Sequence, residues 1–334
     1  MVKPVRWCLA LILSAGTVSA TEPVTDYQWS VGPFLPEPLQ EIYPAVLDKN
    51  IYVAGGLNQS DNGFIVSDGV YRLEPSAQQW QSLAPLPEPR HHAVLAAGDK
   101  DLWLFGGFIE TQEGPWTSTD SILRYNPKQN AWHHQGQLPQ PVSEPVVVYL
   151  DGHIHLIGGR IQSSEANGQW RDHTDTNWHG IYEPDSGIWK TATELPTPRN
   201  SACAVVYDHK IHVIGGRQVG KGNVAVHEVF DPKTSEWQSL KPMPQAQAGM
   251  ACVSYRHNIF VFGGEYFDNG GGVYNEVWRY DLQRDRWSHA SIMPLARHGL
   301  GAVMLSDQIW LIGGAAKAGA IETSAVVSKL KKLN

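Results

Sequence analysis

The chain has 334 residues, 42% of them apolar, which is enough for one large core or two small ones. Its 26 basic against 33 acidic residues give a net charge of −7, so nothing draws it globally to nucleic acid or to an anionic membrane. Thirty-two Gly, 22 Pro and 13 Trp with 18% charged residues predict short strands and tight turns rather than helices, and three Cys exclude a disulfide-stapled mini-domain.

The first twenty residues read as an export signal. Lys3 and Arg6 precede an apolar run from Trp7 to Leu13, and Val18, Ser19 and Ala20 offer small residues for cleavage. Cleavage after Ala20 predicts a periplasmic or secreted protein with a net charge of −9, and leaves Cys203 and Cys252 in an oxidising compartment. The run is too short to span a bilayer, and no later stretch is long enough, so no membrane span is expected.

Residues 21–334 form one repeating domain. An apolar run ends in a Gly pair six times, at residues 55–56, 106–107, 158–159, 215–216, 263–264 and 313–314. Trp29, Trp80, Trp132, Trp189, Trp237 and Trp287 each stand 26 residues before the first Gly. Six residues after each Trp comes Leu or Met, then Pro, from Leu35-Pro36 to Met293-Pro294. The β-branched and aromatic runs read as strands, and each Gly pair frees the backbone to turn. A variable loop follows, then a strand such as VYRL or HEVFD, then the Trp strand, which makes four strands per unit. A period of about 50 residues is in the range of propeller blades.

These features resemble the kelch repeat: the Gly pair, the Trp, the Phe230-Asp231-Pro232 turn, and the Pro-x-x-Arg corners ending at Arg90, Arg199 and Arg297. The resemblance covers roughly residues 27 to 330 and implies an all-β, six-bladed propeller. The repeat is circularly offset, so the strand of Trp29 is expected to complete the last blade beside the segment Thr323 to Leu330 and close the ring. The Trp residues are expected to pack between blades.

In a four-stranded blade, the loop after the Gly pair and the loop entering the innermost strand meet at one end of the ring. The kelch resemblance makes this mouth the ligand surface. The residues placed there are Glu41, His92, Glu144, Asn200 and His298 from the entry corners, and Phe108, Arg160, Arg217 and Glu265 after the Gly pairs. Trp170, Trp178 and Tyr266 add flat aromatic faces on the loops, suited to sugars or peptide side chains. Arg160 and Arg217 come from adjacent blades and are candidates to fork a carboxylate. The Pro-x-x-Arg arginines are expected to be structural.

His153-x-His155 lacks an evident third ligand, and no Walker loop, G-x-S-x-G or H-E-x-x-H occurs, so no metal and no cofactor are expected. Cys203 and Cys252 lie in apolar runs of adjacent innermost strands. They read as two buried thiols or as an inter-blade disulfide. Two functions fit. One is an exported propeller that binds a peptide, glycan or partner protein at its mouth. The other, implied by a distant resemblance to N-acetylneuraminate epimerases, is a periplasmic sugar mutarotase in which Glu265 and His298 serve as acid and base.

Overall fold

The computed structural model describes residues 26–61 and 63–333. The signal-like segment therefore lies outside the described residues. Six four-stranded antiparallel sheets follow one another around a ring. Blade 1 comprises Ala45–Leu47, Asn50–Ala54, Val70–Leu73 and Gln81–Ser82; blade 3 comprises Val146–Leu150, His153–Ile157, His179–Glu183 and Ile188–Thr191. The innermost strand of each blade neighbours those of the next, and Ala45–Leu47 meets Gly301–Leu305 to complete the circle. The chain is thus the six-bladed propeller that the repeat predicts.

Closure occurs as expected. Tyr27–Val31 forms the outer strand of blade 6, paired with Val327–Lys332, so that Trp29 lies opposite Leu330. That third strand starts later than Thr323, because Ile321–Thr323 belongs to a small ribbon at the mouth. All six loops after the Gly pairs fold back as such two-stranded ribbons.

The Trp side chains stitch neighbouring blades. The indole N–H of Trp80 donates to the Pro33 carbonyl, Trp132 to Ala84, Trp189 to Gln137, Trp237 to Thr193 and Trp287 to Lys241, at 2.8–3.2 Å. Trp29 donates instead to the Ser291 hydroxyl, at 3.0 Å. Four of the rings also pack on an aromatic of their own blade: Trp132, Trp189, Trp237 and Trp287 on Tyr125, Tyr182, Phe230 and Tyr280.

A second stitch runs through the Gly pairs. The N–H of each second Gly donates to a corner carbonyl of the next blade: Gly56 to Arg90, Gly107 to Val142, Gly159 to Arg199, Gly216 to Gln247, Gly264 to Arg297 and Gly314 to Leu39, at 2.7–3.0 Å. The first Gly sits so close that an added Cβ would lie 2.1–2.8 Å from the same oxygen. The side chains at these corners face their own blade. Arg90 and Arg297 donate to Gly106 O and Gly313 O, Arg199 to Val213 O and to Glu228, and Gln247 to Gly263 O. The Pro-x-x-Arg arginines are therefore buried structural ties.

Blades 3 and 4 carry buried imidazole pairs where blade 5 has Phe260 and Val277. His155 Nδ1 lies 2.9 Å from His179 Nε2, and His212 Nδ1 lies 2.9 Å from His227 Nε2. Burial holds these rings neutral, at about 4, 3, 4 and 3 respectively, against an ordinary 6.5. Among the described residues, no three His, Cys, Asp or Glu side chains converge as metal ligands.

Two predictions follow from these contacts. Gly106→Ala puts a Cβ against the Val142 carbonyl at a φ of 54°, whereas Gly152→Ala, at a φ of 86°, meets nothing within 4 Å. Denaturant unfolding should show a loss of about 3 kcal/mol or more for the first and about 1 kcal/mol for the second. The buried imidazoles gain protons on unfolding wherever pH lies below 6.5 but above their folded values. Stability should therefore fall as pH drops from about 6.5 toward 4, by at most about 1.4 kcal/mol per pH unit for each ring. The double variant His212→Phe/His227→Val, which copies blade 5, should flatten that dependence in urea midpoints taken at pH 7 and pH 5.

Candidate functional site at the channel mouth

The mouth is built on the position twelve residues after each Trp. Glu41, His92, Glu144, Ser201, Gly249 and Gly299 all adopt left-handed backbone, with φ between 49° and 66°. Adjacent members are joined through their backbones: Glu41 N–H donates to Gly299 O, Gly299 to Gly249, Gly249 to Ser201 and Glu144 to His92, at 2.7–3.3 Å. These residues ring the channel axis and form a floor. Two blades fill the position with Gly, the residue that adopts this backbone at no cost. Glu, His and Ser at the other four accept strain of about 1–3 kcal/mol each, and strain of that kind clusters at functional sites.

Above the floor lies a cavity of about 530 Å³, within the range that holds small ligands. Glu41, His92, Glu144, Arg217, Glu265 and His298 line its lower part, and Trp116, Trp170 and Phe267 line its walls with Gln218, Val219 and Gly220. Residues just before the floor pair with those just after the Gly pairs, as in the bridges Asn200 to Arg217 and His298 to Ala315. The two predicted loop sets therefore do converge.

The polar groups form one connected network. Arg217 Nη2 donates to Glu265 Oε1 at 2.7 Å. Glu265 Oε2 accepts the Gly319 N–H at 2.9 Å and lies 3.4 Å from His298 Nδ1. The same Nδ1 lies 3.4 Å from Glu41 Oε1, and Glu41 Oε2 lies 3.2 Å from His92 Nε2. His298 Nε2 faces the Gly319 carbonyl at 3.0 Å. Burial alone would lower His298, but Glu41 and Glu265 outweigh it and raise its pKa above the ordinary value. Burial would raise Glu41, yet His92, His298 and Arg217 hold it at about 2. Glu144 is lowered too, because His92, Arg160 and Arg217 outweigh its burial.

Of the residues placed at the mouth from sequence, Glu41, His92, Glu144, Trp170, Arg217, Glu265 and His298 line the cavity. Five others do not. Arg160 is fully buried beneath Trp170, with its guanidinium 4.0 Å from that ring and bonded to the Trp170 carbonyl. It meets Glu144 at 3.6 Å and cannot join Arg217 in forking a ligand carboxylate. Asn200 spends its amide on Asp175, and Phe108 is buried under Trp116. Trp178 packs on Trp189, and Tyr266 packs on Tyr274. The walls instead come from Trp116 and Phe267 and from the Val219–Gly220 and Gly319–Ala320 turns. Only the aromatic content of the loops hinted at these.

Below the floor the channel is apolar. Cys203 and Cys252, on the innermost strands of blades 4 and 5, form a disulfide with their Cα atoms 5.8 Å apart, and both line this lower space with Tyr43, Val147 and Leu300.

Replacing Glu41 with Gly suits the left-handed backbone and removes one of the two carboxylates that favour the charged form of His298. The His298 titration midpoint, followed by NMR, should fall. An unchanged or higher midpoint would show that Glu41 does not charge it.

Comparison with known proteins agrees with this architecture. Residues 172–330 match the KLHDC2/KLHL20/DRC7 Kelch-repeats domain, and residues 89–139 match the Kelch motif. Kelch-like protein terF of Aspergillus terreus is 28% identical over 295 residues, covering 86% of this chain and 64% of that protein. Kelch repeat and BTB domain-containing protein 12 of Danio rerio is 30% identical over 179 residues, covering 51% of this chain and 28% of that protein. The chain thus spans less than two thirds of these relatives. The solved structure of YjhT superposes with a TM-score of 0.75 at 20% identity, covering 90% of this chain and 96% of that one, a likeness of fold.

Proposed function

Because the chain is a kelch-repeat β-propeller, we propose that its mouth cavity holds a sugar-sized polar ligand and moves protons on it, as a mutarotase does. The observation that carries this reading is the lower part of the cavity: three carboxylates, two imidazoles and Arg217 meet under aromatic walls in about 530 Å³. Flat aromatic faces suit the apolar faces of sugar rings, and the floor groups suit their hydroxyls.

Ring opening of a cyclic sugar needs little more. A base takes the proton of the anomeric hydroxyl, the bond from the anomeric carbon to the ring oxygen breaks, and an acid protonates that oxygen. Rotation and reversal of these steps give the other anomer. His298 fits the acid, since Glu41 and Glu265 on either side favour its charged form. Glu265 supports it while itself held by Arg217 and the Gly319 N–H.

Export is part of this reading. It rests on the signal-like first twenty residues, and the Cys203–Cys252 disulfide is what an oxidising compartment favours. A second reading, a partner protein or peptide docked on the rim, is favoured by exposed apolar side chains on the ribbons, Ile65, Phe267 and Ile321.

Proton NMR of aldoses and of sialic acid, each freshly dissolved as one anomer, tests the proposal. The mature protein should speed equilibration of at least one sugar, and His298→Asn should lose about 10²-fold of that rate. If no sugar is accelerated or bound, the cavity is not a sugar site and the rim reading takes its place.

A further inference from the structure

Ring opening needs a second proton-exchanging group beside His298. Both Glu265 oxygens are engaged, one by Arg217 and one by the Gly319 N–H. Both Glu41 oxygens face imidazoles. His92 is different, because its two nitrogens have unlike surroundings.

The hydrogen positions along this chain of contacts are set by one backbone group. His91 Nε2 lies 2.8 Å from the Pro115 carbonyl oxygen, which can only accept, so this nitrogen carries a hydrogen. His91 Nδ1 lies 2.6 Å from His92 Nδ1. Two bare nitrogens would repel at that distance, so one hydrogen lies between them. His91 is fully buried, and burial together with the neighbouring His92 holds it neutral, down at about 3. A neutral ring with its hydrogen on Nε2 has a lone pair on Nδ1. The shared hydrogen therefore belongs to His92 Nδ1, which donates to His91. Proton exchange between His92 and a ligand can then run only through Nε2.

That nitrogen faces the cavity, 3.2 Å from Glu41 Oε2. Glu144 also acts on the ring, and the rings of Phe108 and Trp116 pack against it, with centroids 5.7 and 5.5 Å away. Glu41 is shared between His92 Nε2 and His298 Nδ1, so the two imidazoles flank one carboxylate. His92 is also one of the strained left-handed residues of the floor, at a φ of 52°.

We propose that His92 is the second proton-exchanging group beside His298, that it works through Nε2, and that His91, fixed by the Pro115 carbonyl, is the positioning residue that keeps a hydrogen on His92 Nδ1. The role in sugar ring opening rests on the function proposed above, while the tautomer does not. In the step, the charged imidazole of the two protonates the ring oxygen while the other, neutral, takes the proton of the anomeric hydroxyl. In the reverse step the two protons return.

Long-range proton–nitrogen correlation spectra of the histidine-labelled full chain decide the assignment. Across a pH titration His92 Nδ1 should stay protonated while Nε2 titrates, although free histidine in water prefers the opposite tautomer. His91→Phe should release this lock and lower sugar equilibration by about tenfold or more at unchanged sugar binding. His91→Asn, which keeps an acceptor near the Nδ1 position, should restore much of both. A hydrogen found on His92 Nε2 in the neutral wild-type ring would overturn the proposal. So would a His91→Phe variant that folds and leaves the His92 tautomer unchanged. Absence of any sugar turnover in the wild type, with the expected spectra, would count against the sugar reading and leave the tautomer assignment standing.

Discussion

Everything in this molecule depends on how closely one blade approaches the next at the Gly pairs. A backbone N–H in each blade reaches a corner carbonyl in the following one, and the preceding Gly comes so near that carbonyl that no side chain fits between. The corner residue is thereby fixed. Two residues further along, the chain must turn left-handed to enter the innermost strand. The floor of the cavity is the sum of six such turns. Its chemistry follows from a packing constraint, because side chains on a turn this tightly held have little freedom to move away from the axis.

The same constraint explains why the four non-Gly floor residues differ in kind from the rest of the surface. A position that glycine fills without strain is occupied by two carboxylates, an imidazole and a hydroxyl. Ser201 donates to Glu144, so even the hydroxyl is drawn into the network. Charges of both signs are interleaved there: Arg217 with Glu265, Arg160 with Glu144, and the imidazoles with Glu41. A buried floor of one sign would repel itself, whereas this one holds its charges by mutual pairing.

Much of this was legible in the sequence because the Trp residue is an internal ruler. Trp-to-Gly spacing is constant, so blade number, ring closure and the floor residues could be counted rather than guessed. The loops beyond the Gly pairs have no such ruler. Arg160 and Arg217 hold equivalent positions, yet one is sealed under Trp170 and the other opens into the cavity. The difference comes from the ribbon above each, which is long in blade 3 and short in blade 4. Trp178 reads like a loop aromatic, but it immediately precedes His179, the first residue of a strand, and leans on Trp189 of the adjoining strand. The inter-blade disulfide was one of two options until the strands placed Cys203 and Cys252 side by side.

Joining the first and last described strands in one blade has a consequence for folding. Trp29 and Leu330 are register partners, so the hydrogen bonds that seal the ring join the earliest described strand to the last one. Five blades can assemble independently of the chain ends, since each is built from contiguous sequence. The sixth must wait for residues up to Lys332, and bringing such distant segments together carries the entropy of closing a very long loop. Until then blades 1 and 5 are open at the gap, with apolar flanks exposed. A chain without Val327–Lys332 would carry that gap permanently, so this one strand decides whether the whole ring is closed.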